Sequence, residues 1–413
     1  MRTVKTEKYV KTFNMKISKS LKKFKTKLGI KMVIYEEKRA KHLIHPIDRS
    51  WEIWRFCPHR FAANIYIGCS HACVYCYARS LRPDYHKRIE VRINAVELVR
   101  RELEKWRGRL QPVNFGSATD PYQPAEEKYK LIRGVLEEFY NFNSPCFIAT
   151  KSDLVRRDID IISKLSSKKL CAVLFTIITL DKELKKMIEP FSPSVERRLD
   201  VIRELSEVKI PVNVRIDPIL PYITDDPSAL EELISTIADL GTRHVISSVL
   251  KISKTVWKNF RIFLNKYDRT LIRKYEKLYF KKGFSDLAGY RRAETKYRYK
   301  VLKRVAELCR KYKLTFGTCK EGFFDLHTDR CSGLKLKGRY YPSLENYWKF
   351  LYERKATTSL QDIMHVAESF RTSRDYRRKL RIAWNKGILF KNIPGVEQQK
   401  DLEKGIVYTV RGE

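Results

Sequence analysis

Asn64-Ile-Tyr-Ile-Gly-Cys-Ser-His-Ala-Cys-Val-Tyr-Cys-Tyr-Ala-Arg79 carries Cys69, Cys73 and Cys76 in the spacing C-x3-C-x2-C. Three thiolates on one short loop can hold three corners of a four-iron cluster and leave the fourth iron open to exchange, whereas such clusters are ordinarily held by four cysteines. A second reading is a zinc site, which normally needs four ligands in a closed tetrahedron; Cys57, His59 or His71 supplies the missing one. A third is three unrelated buried thiols, against which the tight spacing argues.

Working outward, the chain has 413 residues, with 85 Lys+Arg against 48 Asp+Glu and a formal net charge of +37. That length accommodates two or three average domains, or one barrel-sized domain with additions. Hydrophobic residues make up 43% of it, ample for a large core. The longest apolar run, over residues 171–180, contains two threonines and falls short of the roughly 18–20 residues of a membrane span. Residues 1–31 hold eleven Lys/Arg and one Glu but lack the apolar stretch of a secretory signal. The expectation is a soluble cytoplasmic protein with no membrane partner, in which residues 1–31 are a dispensable extension or a mis-set start. Nine cysteines are too few for a disulfide framework, and a reduced cytosol suits thiolate ligands. So large a positive charge repels itself and attracts polyanions, which makes nucleic acid the first partner expected. A heat-adapted, lysine-rich solvated surface is the plainer alternative.

From residue 64 onward, short apolar runs alternate with helical patterns, which argues for βα units and a parallel sheet. Strands are expected at 64–68, 113–118, 146–150, 171–179, 211–216 and 243–250. Helices are expected at 95–106, 131–140, 159–165, 193–207 and 227–240. Units at this pitch form a curved, partly open barrel whose working residues lie at the C-terminal ends of the strands. Residues 251–300 then change character, with sixteen Lys/Arg, four acids and eleven aromatics. A helix at 297–312, a strand at 313–318 and a long helix across 360–384 complete the reading, with a short helix possible at 16–28 in the basic arm.

Gly68-Cys-Ser-His-Ala-Cys-Val-Tyr-Cys-Tyr-Ala-Arg79 resembles the cluster loop of radical S-adenosylmethionine (SAM) proteins of the spore photoproduct lyase-related, DNA repair photolyase-like branch. Ser117-Ala-Thr-Asp-Pro-Tyr-Gln-Pro124, Thr150-Lys-Ser152 with Arg157-Asp-Ile-Asp160, Glu189-Pro-Phe-Ser-Pro193, Val214-Arg-Ile-Asp-Pro218 and Gly317-Thr-Cys-Lys-Glu-Gly322 fit the same branch. The resemblance covers roughly residues 60–331. It implies an α/β fold with a partial (β/α)6 TIM-like barrel, one 4Fe–4S cluster, and SAM chelated by its open iron. Reduction by an electron donor of ferredoxin or flavodoxin type then cleaves SAM to a 5′-deoxyadenosyl radical that abstracts hydrogen. Around that barrel the expected organisation is a basic arm at 1–50, the barrel at 51–331 with a basic aromatic-rich helical insertion at 251–300, and a basic, mostly helical extension at 332–413. Such a label does not fix the substrate.

On this resemblance Cys69, Cys73 and Cys76 are the cluster ligands, as thiolates that an adjacent iron readily deprotonates. Gly68 permits the turn entering the loop. Tyr75 is similar to the aromatic that shields the cluster and the adenine edge, or else packs in the core, and His71 is read as a hydrogen-bonding or solvent-facing residue rather than a ligand. Ser117, Thr119 and Asp120 are expected at the methionine moiety as acceptors for the SAM ammonium, the alternative being a Pro-flanked turn. Lys151 and Ser152 end the third strand near SAM or substrate, and Thr179 is expected near the ribose hydroxyls. Arg215 suits a bidentate contact with the SAM carboxylate, unless it pairs with Asp217.

Cys146, Cys171 and Cys309 read as inert core thiols. Cys319 ends a strand on the active-site side and is the candidate hydrogen-atom donor to a substrate radical. One alternative is a second metal site with Cys331 and Cys57, near Glu321 and His327, and another is that Cys319 is a structural thiol. Basic residues interleaved with aromatics suit phosphate neutralisation plus stacking on unpaired bases. Lys254, Trp257, Lys258, Phe260, Arg261, Arg291, Arg292, Lys296, Tyr297 and Arg298 show this pattern. Arg371, Arg374, Arg377, Arg378, Lys379 and Arg381 form the densest cluster and the best candidate phosphate-contacting face.

The leading expectation is therefore a radical SAM enzyme acting on nucleic acid, to modify RNA or repair a DNA base. One alternative is the same chemistry on a metabolite or peptide. Another is a nucleic-acid-binding protein whose cluster is structural or redox-sensing.

Overall fold

The computed structural model describes residues 33–46, 61–107, 111–281, 286–287, 289–338, 340, 342–354, 358–370, 372, 374–391, 393–394, 396–401 and 405–410. The helix expected at 16–28, and Cys57, His59 and Arg371, lie outside them. In chain order the strands are β1 (Ile34–Lys38), β2 (Ile44–Pro46), β3 (Phe61–Ala63), β4 (Tyr66–Ile67), β5 (Arg88–Arg92), β6 (Val113–Phe115), β7 (Cys146–Thr150) and β8 (Val173–Thr176). They continue with β9 (Val212–Ile219), β10 (His244–Val249), β11 (Lys251–Ile252), β12 (Asp286–Leu287), β13 (Tyr290–Arg292), β14 (Thr315–Thr318), β15 (Val396–Asp401) and β16 (Gly405–Val410).

The main sheet runs β14-β10-β9-β8-β7-β6-β3-β2. Every pair from β3 to β14 is parallel, and β2 alone lies antiparallel at the edge. Helices Ala95–Lys105, Leu131–Asn141, Ile159–Ser167, Val195–Glu207, Pro227–Asp239 and Thr295–Lys311 connect successive strands. This is the expected α/β partial barrel, with β14 as a seventh parallel strand. Side chains of two helix starts close free backbone N–H groups: Ser194 accepts from the Arg197 amide, and Asp226 from those of Ser228 and Ala229.

Alternate strand residues point to opposite faces. Val113, Phe115, Ile148, Val173, Phe175, Val212, Val214, Val245 and Phe316 share one core with the covering helices. The opposite set, Phe147, Ala149, Ala172, Leu174 and Ile246, forms a second cluster inside the barrel with Leu334 and Leu336, and Cys319 packs against it. Those two leucines come from a return segment that sequence patterning did not reveal. After β14 the chain doubles back, with the Thr328 amide donating to the Phe316 carbonyl at 3.0 Å. It then crosses the barrel floor, where Asn213 donates to the Ser332 carbonyl at 2.8 Å and the Lys337 amide to Lys169 at 2.8 Å. Gly317 makes room for it, since a Cβ there would sit 2.6 Å from the Cys331 Cα.

Two expectations are corrected. The strand expected at 64–68 is not part of the main sheet. Its predecessor β3 takes that place and ends at Ala63, while Tyr66 and Ile67 pair with β5 in a separate sheet ordered β1-β5-β4. The helix expected across 360–384 is two, Leu360–Ser369 and Arg374–Asn385. Between them Ser369 and Thr372 donate to the Val366 and Ala367 carbonyls, the local competition that disfavours such residues within helices. With helix Leu344–Arg354 and the β15–β16 hairpin they form a mostly helical extension with its own core, including Leu351, Leu380, Trp384 and Tyr408. That core also takes in Phe324, just beyond β14. Among the described residues no helix is long and apolar enough to cross a membrane.

Leu334→Ala should open a cavity in the barrel floor and cost about 2–5 kcal/mol of stability, read as a lowered urea midpoint with an unchanged slope.

Candidate active site

The three-cysteine loop leaves β4 through Gly68 at φ +104°, where an added Cβ would lie 2.7 Å from the Arg88 carbonyl oxygen. Glycine is required there both by conformation and by space. The Gly68 carbonyl accepts from Thr119 Oγ1 at 2.5 Å and Gln123 Nε2 at 2.9 Å, and Gln123 Oε1 accepts from the Ser70 amide at 3.0 Å. His86 Nδ1 lies 2.6 Å from the Cys69 carbonyl. Arg79 closes the loop on itself by donating to the Ala72 and Cys73 carbonyls at 2.8 and 3.2 Å.

Cys69 and Cys73 are 9% and 6% exposed, and Cys76 is half-buried. Burial pushes the Cys73 thiol up to about 12. Burial also raises Cys69 well above its ordinary value, followed by the charges of Asp120, Cys73 and Cys76. The thiols therefore share one electrostatic environment, in which three thiolates are unfavourable without a cation to offset them. A multiply charged iron cluster is such a cation source, and the donor set fits it. Among the described residues no three His, Cys, Asp or Glu side chains gather around one point as a single ion would require. His71 is buried and not solvent-facing, with its Nδ1 3.4 Å from Asp120, and burial pulls it down to about 4, leaving it neutral.

Behind the loop lies a buried ion pair that sequence reasoning missed. The Tyr75 hydroxyl donates to Glu189, which meets Arg198 at 2.5 Å, and Arg198 also donates to Ser192 Oγ. Burial alone would raise the Glu189 carboxyl, but Arg198 and Lys151 outweigh it and hold it at about 2. Its stabilising contribution is therefore present above the ordinary carboxylate range and lost as pH falls toward about 2. The one signal was the Glu-Pro-Phe-Ser-Pro run that contains Glu189.

The opposite wall is the mouth of the barrel. Lys151 follows β7 with its ammonium 5.8 Å from the Tyr75 ring centre. On β9 Arg215 pairs with Asp217, which also accepts from Ser248 Oγ at 2.5 Å. Against the effect of burial, Arg215 and Lys251 hold the Asp217 carboxyl at about 2. Cys319, whose amide donates to the Ser247 carbonyl at 2.8 Å, lies within electrostatic reach of Arg215 and Asp217. Tyr77 joins this wall to the loop by donating to the Ser117 carbonyl.

Other expected site residues are engaged structurally. Ser117 Oγ donates to Asn64 at 3.2 Å, and Thr119 holds Gly68. Asp120 accepts from the Tyr122 and Lys151 amides at 2.9 and 2.8 Å and from Thr150 Oγ1 at 2.7 Å. Ser152 caps the short helix Asp153–Asp158, and Thr179, beyond the end of β8, accepts from the Asp181 amide. Glu321 binds Lys251 at 3.0 Å and Arg298, while His327 Nε2 sits 2.7 Å from Thr318 Oγ1. Of the described basic and aromatic residues of 251–300, Phe260, Phe263, Tyr275, Tyr279, Arg292 and Arg298 are buried. On helix Arg374–Asn385 the side chains of Arg374, Arg378, Lys379 and Arg381 are exposed, and Arg377 donates to the Thr372 carbonyl.

Arg198→Met leaves the Glu189 carboxylate buried without its partner and should cost about 3–5 kcal/mol at pH 7. The deficit should narrow near pH 4, where the freed carboxyl is protonated, as urea unfolding at the two pH values would show.

The sequence pattern of the Radical SAM superfamily matches residues 63–245. An uncharacterized protein of Mycobacterium tuberculosis is 30% identical over 265 residues, covering 62% of this chain and 76% of that protein. The radical SAM Nα-GlyT isomerase of Pseudomonas phage M6 is 27% identical over 180 residues, covering 43% of this chain and 36% of the isomerase. Spore photoproduct lyase with bound AdoMet and dinucleoside spore photoproduct superposes with a TM-score of 0.54 at 14% identity, covering 70% of this chain and 81% of that one. The matched pattern takes in the three-cysteine loop and runs from the end of β3 to the start of β10, and this chain belongs to the radical SAM superfamily of enzymes.

Proposed function

We propose that this protein is a radical SAM enzyme that abstracts hydrogen from a nucleotide of a nucleic acid. The observation that carries the reading is the facing of the three-thiol loop and a charged barrel wall across one mouth. Cys69, Cys73 and Cys76 would hold a 4Fe–4S cluster through three of its irons. Bound there, cluster and SAM supply an electron and a 5′-deoxyadenosyl radical. Arg215 and Lys151 are the cations available to a SAM or substrate carboxylate or phosphate, with Asp217 keeping Arg215 oriented. Tyr75, held by Glu189, forms a rigid apolar edge over the loop.

Cys319 is proposed as the hydrogen-atom donor. Its S–H bond breaks as a C–H bond forms on the substrate radical. The thiyl left behind takes one electron from the low-potential donor and a proton from solvent. Its packing against the inner apolar cluster of Phe147, Ala149, Ala172, Leu174, Ile246, Leu334 and Leu336 keeps the side chain inside the barrel.

Nucleic acid as substrate is supported by the net charge of +37. Helix Arg374–Asn385 packs its apolar side on the core of the extension and leaves Arg374, Arg378, Lys379 and Arg381 exposed. Basic side chains there would hold phosphates while a target nucleotide enters the barrel, since enzymes acting on a base take it out of the stack. Two similar proteins bear on substrate class: one has been solved with a dinucleoside photoproduct, and the other is named for an Nα-GlyT isomerisation.

Anaerobically reconstituted protein with dithionite and SAM should release 5′-deoxyadenosine faster when heat-treated cell extract is added. That stimulation should vanish when the extract is pretreated with RNase or with DNase, and the effective nuclease names the polymer. Stimulation that survives both would point to a metabolite or peptide. Cys319→Ala should retain at least about a third of the 5′-deoxyadenosine release but lose hydrogen return to substrate, read as failure to incorporate solvent deuterium into product.

A further inference from the structure

The ligand loop has a second face. Cys73 and Tyr75 are buried toward the barrel, while Ala72 and Val74 between and beside them are half-exposed and turn the other way. They form the wall of a groove of about 660 Å³ that runs between the loop and helix Lys254–Tyr267. The groove also exposes large apolar side chains: Met187 at 40%, Phe191 at 51% and Ile262 at 53%. The loop is bound into it by backbone, with the Val74 amide donating to the Ile188 carbonyl at 2.9 Å and the Phe191 amide to the His71 carbonyl at 3.4 Å. Ala72 and Val74 are each one residue from Cys73, so the loop backbone is a partition one residue thick between groove and thiol.

Its charge has one sign. Lys87 and Lys266 line the groove, and Arg79 reaches the loop carbonyls from the same side. Lys258, Ile262 and Lys266 fall at i, i+4 and i+8 on helix Lys254–Tyr267, so the exposed isoleucine stands between two exposed lysines on one stripe. Among the described residues none of Lys87, Lys258 and Lys266 forms an ion pair. An apolar centre with a cationic rim is the complement of an acidic protein surface with an apolar tip.

We propose that this groove is the docking surface for an acidic one-electron carrier protein, which passes its electron through the 72–74 backbone to the group held by the thiols. The proposal rests on the reductive chemistry proposed above, and it separates electron delivery from the barrel mouth. The carrier can therefore bind while SAM and substrate occupy the other side of the loop.

The test compares two reductants on the same reconstituted full-length protein: dithionite, which needs no docking surface, and a flavodoxin kept reduced by its NADPH-dependent reductase. The variants are Lys87→Glu/Lys266→Glu, both lining the groove, and Lys87→Glu alone. A Lys164→Glu/Lys303→Glu variant matches the double charge change on remote exposed helices. The groove variants should keep dithionite-driven 5′-deoxyadenosine release while the KM for flavodoxin rises about tenfold or more, and the Kd of oxidised flavodoxin for the protein without its cluster, read by calorimetry, should rise in parallel. Wild-type KM should rise with salt, and the remote variant should behave as wild type. Equal KM values for groove and remote variants would overturn the proposal. So would a groove variant that keeps its flavodoxin KM but loses a wild-type dimer in light scattering, because the occupant would then be a second copy. If the double variant fails to fold, Lys87→Glu alone decides by the same comparison. Absence of 5′-deoxyadenosine from wild type with dithionite would contradict the reductive reading itself, an outcome distinct from failure of the docking proposal.

Discussion

The site depends on how one carbonyl is held. Gly68 turns the chain out of its strand at a positive φ, and its oxygen is taken by both Thr119 and Gln123 from the turn after the next parallel strand. Buried backbone groups must be paired, and here the pairing fixes the loop to the barrel rather than to itself. The turn is fixed in its own right, because Asp120 accepts from Tyr122, Thr150 and Lys151 and so ties the ends of β6 and β7 together. The three thiols inherit their position from this chain of bonds.

Two kinds of charge then divide the interior. The Glu189–Arg198 pair is spent on rigidity: it is buried on both sides and anchors Tyr75 behind the loop. The Arg215–Asp217 pair lies at the mouth, with its side chains partly open to solvent. Buried pairs of the first kind are weak sources of net stability but costly to break, which suits a scaffold whose geometry matters more than its depth of stability. Pairs of the second kind can exchange a partner for a ligand, so the same chemistry serves function at the mouth and architecture beneath it.

Much of this was legible in the sequence, for physical reasons. A parallel sheet buried on both faces reads as continuous apolar runs, and β7 to β10 and β14 emerged on that basis. The spacing of the cysteines was local and therefore visible. Gly68, Lys151, Arg215, Asp217 and Cys319 lie at strand ends or turns that motif reading could place. The partners were harder: Gln123 reaches Ser70 and Gly68 across more than fifty residues, and Arg198 meets Glu189 only because a helix folds back over its own approach. The 64–68 strand was misread because alternation alone does not say which neighbour a strand will choose. The return of 331–336 through the barrel floor left no periodic trace, since an irregular segment has none. Thr119, Asp120 and Ser152 have the residue types of a polar binding site, and each also makes hydrogen bonds within the fold.

The central claim is that three thiols on a clamped loop hold a four-iron cluster with one iron open to SAM. Electron–nuclear double resonance on the reduced, reconstituted protein with SAM labelled by nitrogen-15 at its amino group tests it most directly. The account predicts a four-iron signal with a nitrogen-15 hyperfine coupling, both absent from the Cys69→Ala/Cys73→Ala/Cys76→Ala variant. A four-iron signal without that coupling, or a closed zinc site with four protein ligands in place of iron, would contradict it.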